Sequence, residues 1–402
     1  MDLNALKEYK LNLLNELNEN ILPFWINNVV DSENGGFYGC ILNDLTKIKT
    51  ADKGCILNSR ILWTYSTAYR IFKDEKYFEI ATRAYNYIIE NFWDNEYSGI
   101  FWMVDYKGNP VETKKQIYNL AFGIYALSEY YRATGIKESL NRAIELFNLI
   151  EKYSYDEINK GYVEALDRQW NTLSDMRLSP KDLNSKKSMN THLHILEAYT
   201  NLLRVWDNKF LRDKLEELIK VTLDKIIDNE SYQFKLFFVE CWNSLNKNVS
   251  YGHDIEGSWL LYEAAEVCGN KDLIDKIKEV SIRMAGKVLQ EGIDKECGGI
   301  YNERHENGVL DKRKAWWPQA EAMVGFINAY ELTKDEKFFN ASKDIWSFVD
   351  KYFIDKEFGE WFSEIDFEGK SDNEMAKVDP WKCPYHNSRA CFEVIERLNK
   401  IK

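Results

Sequence analysis

Six times along the chain a short segment of glycine and aromatic residues is followed by an amphipathic helix with a polar head. The segments are Gly35-Gly36-Phe37-Tyr38, Ser98-Gly99-Ile100-Phe101-Trp102, Gly161-Tyr162-Val163, Phe237-Phe238-Val239-Glu240, Gly298-Gly299-Ile300-Tyr301 and Gly359-Glu360-Trp361-Phe362. They recur at intervals of roughly 60 to 75 residues, room for one hairpin and two helices per unit. The helices that follow open at Ser59-Arg60, Gln116-Ile117-Tyr118, Asn190-Thr191-His192, Tyr251-Gly252-His253, Trp316-Trp317-Pro318 and Tyr385-His386-Asn387. Four of the 5 histidines lie in these heads.

The spacing within a unit is helical. From Asn190 to Trp206 the apolar positions Leu193, Leu196, Ala198, Tyr199, Leu202 and Leu203 fall on helical rather than alternating spacing, and a second helix follows from about Phe210 to Ile227. The same pair shape recurs four more times, as helical hairpins in series. The first helix, about Leu3 to Val30, has no partner before it, and the last, about Ser388 to Lys400, has none after it. Pairing them closes the series, so the expected fold is all-α, an (α/α)6 barrel with short strands in the connecting loops. An open solenoid is the alternative, because repeat spacing alone does not prove closure. The chain of 402 residues has only 6 prolines and no low-complexity stretch, so residues 1–402 are expected to form a single domain.

A net charge of −12, with basic residues spread among acidic ones, argues against a nucleic-acid partner. No window approaches the ~20 apolar residues of a membrane span, and the amino terminus lacks a signal-peptide pattern. The 7 cysteines are scattered without a Cys-x-x-Cys pair, as expected of a reduced, cytoplasmic protein. There is no phosphate loop, no Rossmann fingerprint and no zinc-like spacing, so neither a cofactor nor a metal is expected.

The heads carry the chemistry. Histidine titrates near neutrality, so two imidazoles facing one substrate can take and return a proton. His192 and His194 point in nearly opposite directions on a helix; His194 shares a face with Asn190 and is assigned to the site, while His192 is read as packed. His253 and Glu256, three apart, are neighbours on one face, and Asp254 is expected to serve the helix terminus. Trp317 and Glu321 share a face in Trp316-Trp317-Pro318-Gln319-Ala320-Glu321, and Trp381 repeats the theme; an indole suits the apolar side of a pyranose ring. Arg60 and Tyr118 add a cationic donor and a phenol. Glu256 and Glu321 would also suit a glycoside hydrolase, though histidines have no clear task there.

Together, Ser59-Arg60-Ile61-Leu62-Trp63, Asn190 to Tyr199, Tyr251 to Glu256, Trp316 to Glu321 and Trp381 to Asn387 closely resemble the N-acylglucosamine 2-epimerase superfamily, and within it the branch acting on cellobiose. The resemblance implies a cofactor-free isomerase that inverts C2 of the reducing-end sugar of β-1,4-linked disaccharides. It implies acid/base roles for His253 and His386, with His194 as a third pocket histidine. Substrate contacts would fall to Arg60, Tyr118, Asn190, Glu256, Trp317, Glu321 and Trp381. N-acylglucosamine epimerisation and monosaccharide aldose–ketose isomerisation are close alternatives. A monomer with an oligosaccharide substrate is expected. One departure is Gly257, where alanine is expected.

Overall fold

The computed structural model describes residues 3–371 and 374–400. Helix α1 (Leu3–Asn15) continues through a wider turn, Glu16–Ile21, into α2 (Leu22–Asn28). Five helical hairpins follow: α3 (Cys55–Phe72) with α4 (Glu75–Tyr87), α5 (Ile117–Thr134) with α6 (Lys137–Tyr153), α7 (Met189–Leu203) with α8 (Lys209–Val221), α9 (Tyr251–Cys268) with α10 (Lys271–Glu291), and α11 (Trp316–Thr333) with α12 (Glu336–Tyr352). The last helix is α13 (Tyr385–Lys400).

Odd-numbered helices from α3 to α13 form the inner ring. Each packs on the next, and α13 packs back on α3, while α1 lies outside α13. The ring is therefore closed, and the open solenoid is set aside. The seam is hydrogen bonded as well as packed: Trp25 Nε1 donates to Glu360 at 2.6 Å and Trp361 Nε1 donates to Glu16 at 2.7 Å. Inner helices are buried around most of their circumference, as along α5 from Ile117 to Tyr130. Outer helices bury one stripe, as Leu211, Leu215, Leu218 and Ile219 do on α8. Close approach in the ring needs small residues: a Cβ on Gly325 of α11 would lie 2.6 Å from Ile255 of α9.

Each outer helix ends in the same turn. An aspartate N–H bonds the carbonyl five residues on, at Asp31 to Gly36, Asp94 to Gly99, Asp156 to Gly161, Asp228 to Gln233, Asp294 to Gly299 and Asp355 to Glu360. The fourth turn thus lies before Phe234 and not at Phe237–Glu240, a correction to the sequence reading. Its left-handed position is filled by Tyr232 (φ 58°) instead of glycine, which hid it. Phe237–Phe238 is instead a strand paired with Lys187–Ser188.

Five of the six turns are held by a buried lysine from the strand before the next inner helix. Lys53 reaches Asp31 at 2.8 Å, Lys115 reaches Asp94 at 2.8 Å, Lys187 reaches Asp156 at 2.8 Å and Lys314 reaches Asp294 at 2.7 Å; Lys377 pairs with Asp355. Val249 stands in the corresponding place of the fourth unit. The strands that carry these residues each pair with a strand of the following unit, and the last, Ala376–Val378, pairs with the first, Ile41–Leu42. This second ring gathers the first turns of the inner helices at one end of the barrel. Among the described residues no helix is long and apolar enough to cross a membrane, and all seven cysteines are free thiols.

Candidate active site

The gathered helix heads bring three imidazoles together, each with Nδ1 anchored. His253 Nδ1 lies 2.7 Å from Ser250 Oγ, His386 Nδ1 2.7 Å from Glu321 Oε1 and His194 Nδ1 2.9 Å from Glu197 Oε2. Anchoring one ring nitrogen fixes the ring plane and leaves Nε2 for a substrate atom. The Trp317 indole stands beside both His253 and His386, with ring centres 4.7 Å and 5.8 Å away.

His192 does turn away, as the helical spacing requires. Its Nε2 accepts the Tyr162 N–H at 2.9 Å and its Nδ1 lies 2.6 Å from the Ser188 carbonyl, so it pins the third turn to its helix. Burial pushes it down to about 3, and it stays neutral. Asp254 has the same task, which corrects its assignment to the helix terminus: Oδ1 accepts the Phe234 N–H at 2.7 Å, and burial raises the acid to about 8. Gly257 follows from this neighbour, since a Cβ there would lie 2.2 Å from the Phe234 ring.

Arg60, from α3, donates from Nη2 to the Tyr118 hydroxyl at 2.9 Å and from Nη1 to the Trp381 carbonyl at 3.2 Å. Tyr118 in turn stands edge-on to His194, 4.9 Å between centres, and 6.1 Å from Trp381. Tyr118 is thus joined to the site, whereas Tyr125, two turns on, stacks against Trp63. Asn190 lines a cavity of about 690 Å³ that also meets His253, Glu303, His305 and Arg313. Its buried Oδ1 has no protein partner, which suits a sugar hydroxyl.

Glu256 and Glu321 converge on Arg389 Nη2, each at 2.6 Å. A hydrolytic pair must flank a bond across an open gap. These two share one guanidinium nitrogen instead, and Glu321 also accepts from Trp259 Nε1 at 3.1 Å. Glu256, Glu321 and His386 bring donor atoms within 4.8 Å of one another, spacing that would otherwise suit a cation. Arg389 supplies that positive charge here.

Electrostatics leave His253 and His386 neutral. Burial, then the nearby His194, holds His253 down at about 3. Burial, then Arg60 and Arg389, holds His386 well below the usual histidine value. Burial raises Glu321, with Glu256 adding to the rise and Arg389 opposing it. At the His386–Glu321 contact burial therefore works against charge on both partners.

All ten sequence-assigned residues lie at this end of the ring, with Asn190 and His253 on the cavity wall. Three others were missed. Glu197 and Arg389 each stand three residues after a pocket histidine, the same helical spacing that singled out His253 and Glu256, so the signal was present. Tyr385, beside His386, bonds both of them.

A closed six-fold helical ring gathers anchored imidazoles, carboxylates and indoles at one mouth, and comparison with known proteins assigns such a site to a sugar isomerase. Residues 36–390 match the family model of N-acylglucosamine 2-epimerase (GlcNAc 2-epimerase), and the chain belongs to that family. It is 47% identical to a cellobiose 2-epimerase of Bacteroides fragilis over 96% of this chain and 98% of that protein. With a cellobiose 2-epimerase of Ruminococcus albus the identity is 45%, over 95% and 97%. The solved structure of cellobiose 2-epimerase from Bacillus thermoamylovorans superposes with a TM-score of 0.93 at 44% identity, covering 97% of this chain and all of that one.

Proposed function

We propose that this protein epimerises C2 of the reducing-end sugar in β-1,4-linked disaccharides, turning cellobiose into glucosyl-mannose and lactose into epilactose. The observation that carries the reading is the pair of neutral imidazoles, His253 and His386, both beside one indole, with similarity to cellobiose 2-epimerases over nearly the whole chain in support.

Hydrogen on C2 is acidic only when the sugar ring is open, because the adjacent aldehyde then delocalises the charge. The enzyme therefore opens the hemiacetal, and an imidazole takes the C2 proton to leave an enediolate. A proton returned to the opposite face gives the epimer. His253 and His386 are assigned to these transfers. Arg60 and His194 place positive or donating groups by the enediolate oxygen at O1. Asn190, Glu256 and Tyr118 hold hydroxyls, Glu321 orients His386, Trp317 packs on the reacting ring beside the imidazoles, and Trp381 supports the second ring. Imidazole and carboxylate suffice for every step, so no cofactor is assigned. The chain is assigned as one catalytic unit spanning 1–402, monomeric and cytoplasmic; free thiols and a dispersed charge pattern support this.

Product formed in D₂O is expected to carry deuterium at C2 of the reducing sugar, since a proton on imidazole exchanges with solvent. Proton NMR with cellobiose and lactose reads this directly. Epimer lacking deuterium at C2 after many turnovers in both directions would remove the enediolate and the histidine roles together. Release of monosaccharide would instead indicate a hydrolase.

Trp381→Ala is expected to cost about 1–3 kcal/mol in kcat/KM on the disaccharide, the worth of a lost aromatic face, and less on mannose. Trp317→Ala should cost both substrates alike, because its indole adjoins both imidazoles. The reverse pattern would exchange the two assignments.

A further inference from the structure

Behind the histidines, three carboxylates from three inner helices meet one cation. Arg389 lies one turn beyond His386 on α13, with 1% of its side chain exposed. Its guanidinium divides its partners: Nη1 bonds Glu197 of α7 and the Tyr385 hydroxyl, while Nη2 lies 2.6 Å from both Glu256 of α9 and Glu321 of α11. The plane is held between aromatic faces, 4.2 Å from the Tyr385 centre and 4.8 Å from that of Trp259.

Two of these carboxylates are the ones that orient imidazoles, Glu197 for His194 and Glu321 for His386. We propose that Arg389 is a positioning residue that ties both histidine–glutamate pairs into one unit, so that neither imidazole turns or changes its proton independently of the other. The inference rests on the reading of His386 as a proton-transferring group. A buried carboxylate stays ionised only beside compensating charge or donors. Glu197, Glu256 and Glu321 have a single guanidinium among them. The other cation at the site, Arg60 of α3, is engaged with Tyr118 and the Trp381 carbonyl, and His253 of α9 is anchored on Ser250. From α5, Tyr125 stands against the Tyr385 ring without reaching the carboxylates, 6.0 Å between centres. A planar fork reaches acceptors on both sides; an ammonium is a point charge and cannot.

Arg389→Lys keeps the charge and loses the fork, whereas Arg389→Met loses both. The measurements are kcat and KM against pH on the disaccharide, and the NMR titration of the histidine imidazoles. Both variants should lose about 100-fold or more in kcat, in the range of a disabled acid/base group, with KM changed by no more than about threefold. His386 is held down partly by Arg389, so in Arg389→Met its titration and the acid limb of kcat should move upward. In Arg389→Lys the limb should stay in place.

A His386 titration unmoved in Arg389→Met, with kcat falling only in proportion to unfolded protein, overturns the proposal. So does an Arg389→Lys variant with wild-type kcat, which also decides the matter if the methionine variant fails to fold. A wild-type protein that epimerises no sugar, yet shows the His386 shift on Arg389→Met, refutes the assigned reaction and leaves the coupling standing.

Discussion

His253→Ala and His386→Ala are each expected to lower kcat on cellobiose by about 10² to 10⁴, the usual worth of a general acid or base, with the fold retained. The fold should survive because each imidazole's hydrogen bond to a neighbouring side chain runs through Nδ1, at Ser250 Oγ and Glu321 Oε1. The double variant should fall little below the worse single one, because groups that act in one proton relay do not contribute additively. Asp254 shows why the control must be chosen from the structure. Its carboxyl is held near 8 by burial and bonds the Phe234 N–H, so alanine would release the fourth turn. Asn is close to isosteric with a neutral acid, and Asp254→Asn should keep most of the activity. A folded His253 or His386 variant with near-normal turnover would strip that residue of its role.

Lys53→Ala is expected to destabilise the protein by about 3–5 kcal/mol, the cost of leaving one member of a buried ion pair without its partner. The pair is fully enclosed, with 1% and 0% side-chain exposure for Lys53 and Asp31. Burial alone would raise Asp31. The Lys53 ammonium and the N–H groups of Asn34 and Glu33 overcome it and hold the carboxyl below the ordinary aspartate value. A depressed carboxyl contributes stability above the unfolded pKa and loses it as pH falls through the folded one. The difference between wild type and Lys53→Ala should therefore be full at neutral pH and shrink in acid below about pH 4. Burial also lowers Lys53, which offsets part of the gain. Lys53→Met combined with Asp31→Asn should be milder than Lys53→Ala, since no charge is then left alone. Calorimetry at pH 7 and pH 3 measures both points, and equal destabilisation at the two pH values would contradict the ion-pair account.

Much of this was legible from residue order. Six recurrences of a turn before a polar helix head implied a ring of hairpins, and the unpaired first and last helices implied how it closes. Four of the 5 histidines in helix heads then implied a site at one mouth, because all the heads share an end. The fourth turn was misplaced because left-handed backbone was sought at glycine, and Tyr232 takes that conformation under tertiary constraint. The lysine clamps went unread because each Lys–Asp pair bridges a strand and a turn 20 to 31 residues before it, outside the helical and strand periods that were read. Arg389 was missed although it stands one helical turn after His386, because its task shows only in the fold. Its partners Glu321, Glu256 and Glu197 lie 68, 133 and 192 residues away, and only the closed ring makes them neighbours.

The seam has a meaning for how the protein is made. Trp25 must wait for Glu360, 335 residues later, and Glu16 for Trp361, 345 residues later. Nascent chain leaves a ribosome amino end first, so early hairpins can stack in order while the first helix stays without its final neighbour. The candidate site is completed by the same event, because the helix that shuts the circle also brings His386 and Arg389. A chain interrupted before that helix would be an arc of stacked hairpins with an unfinished site.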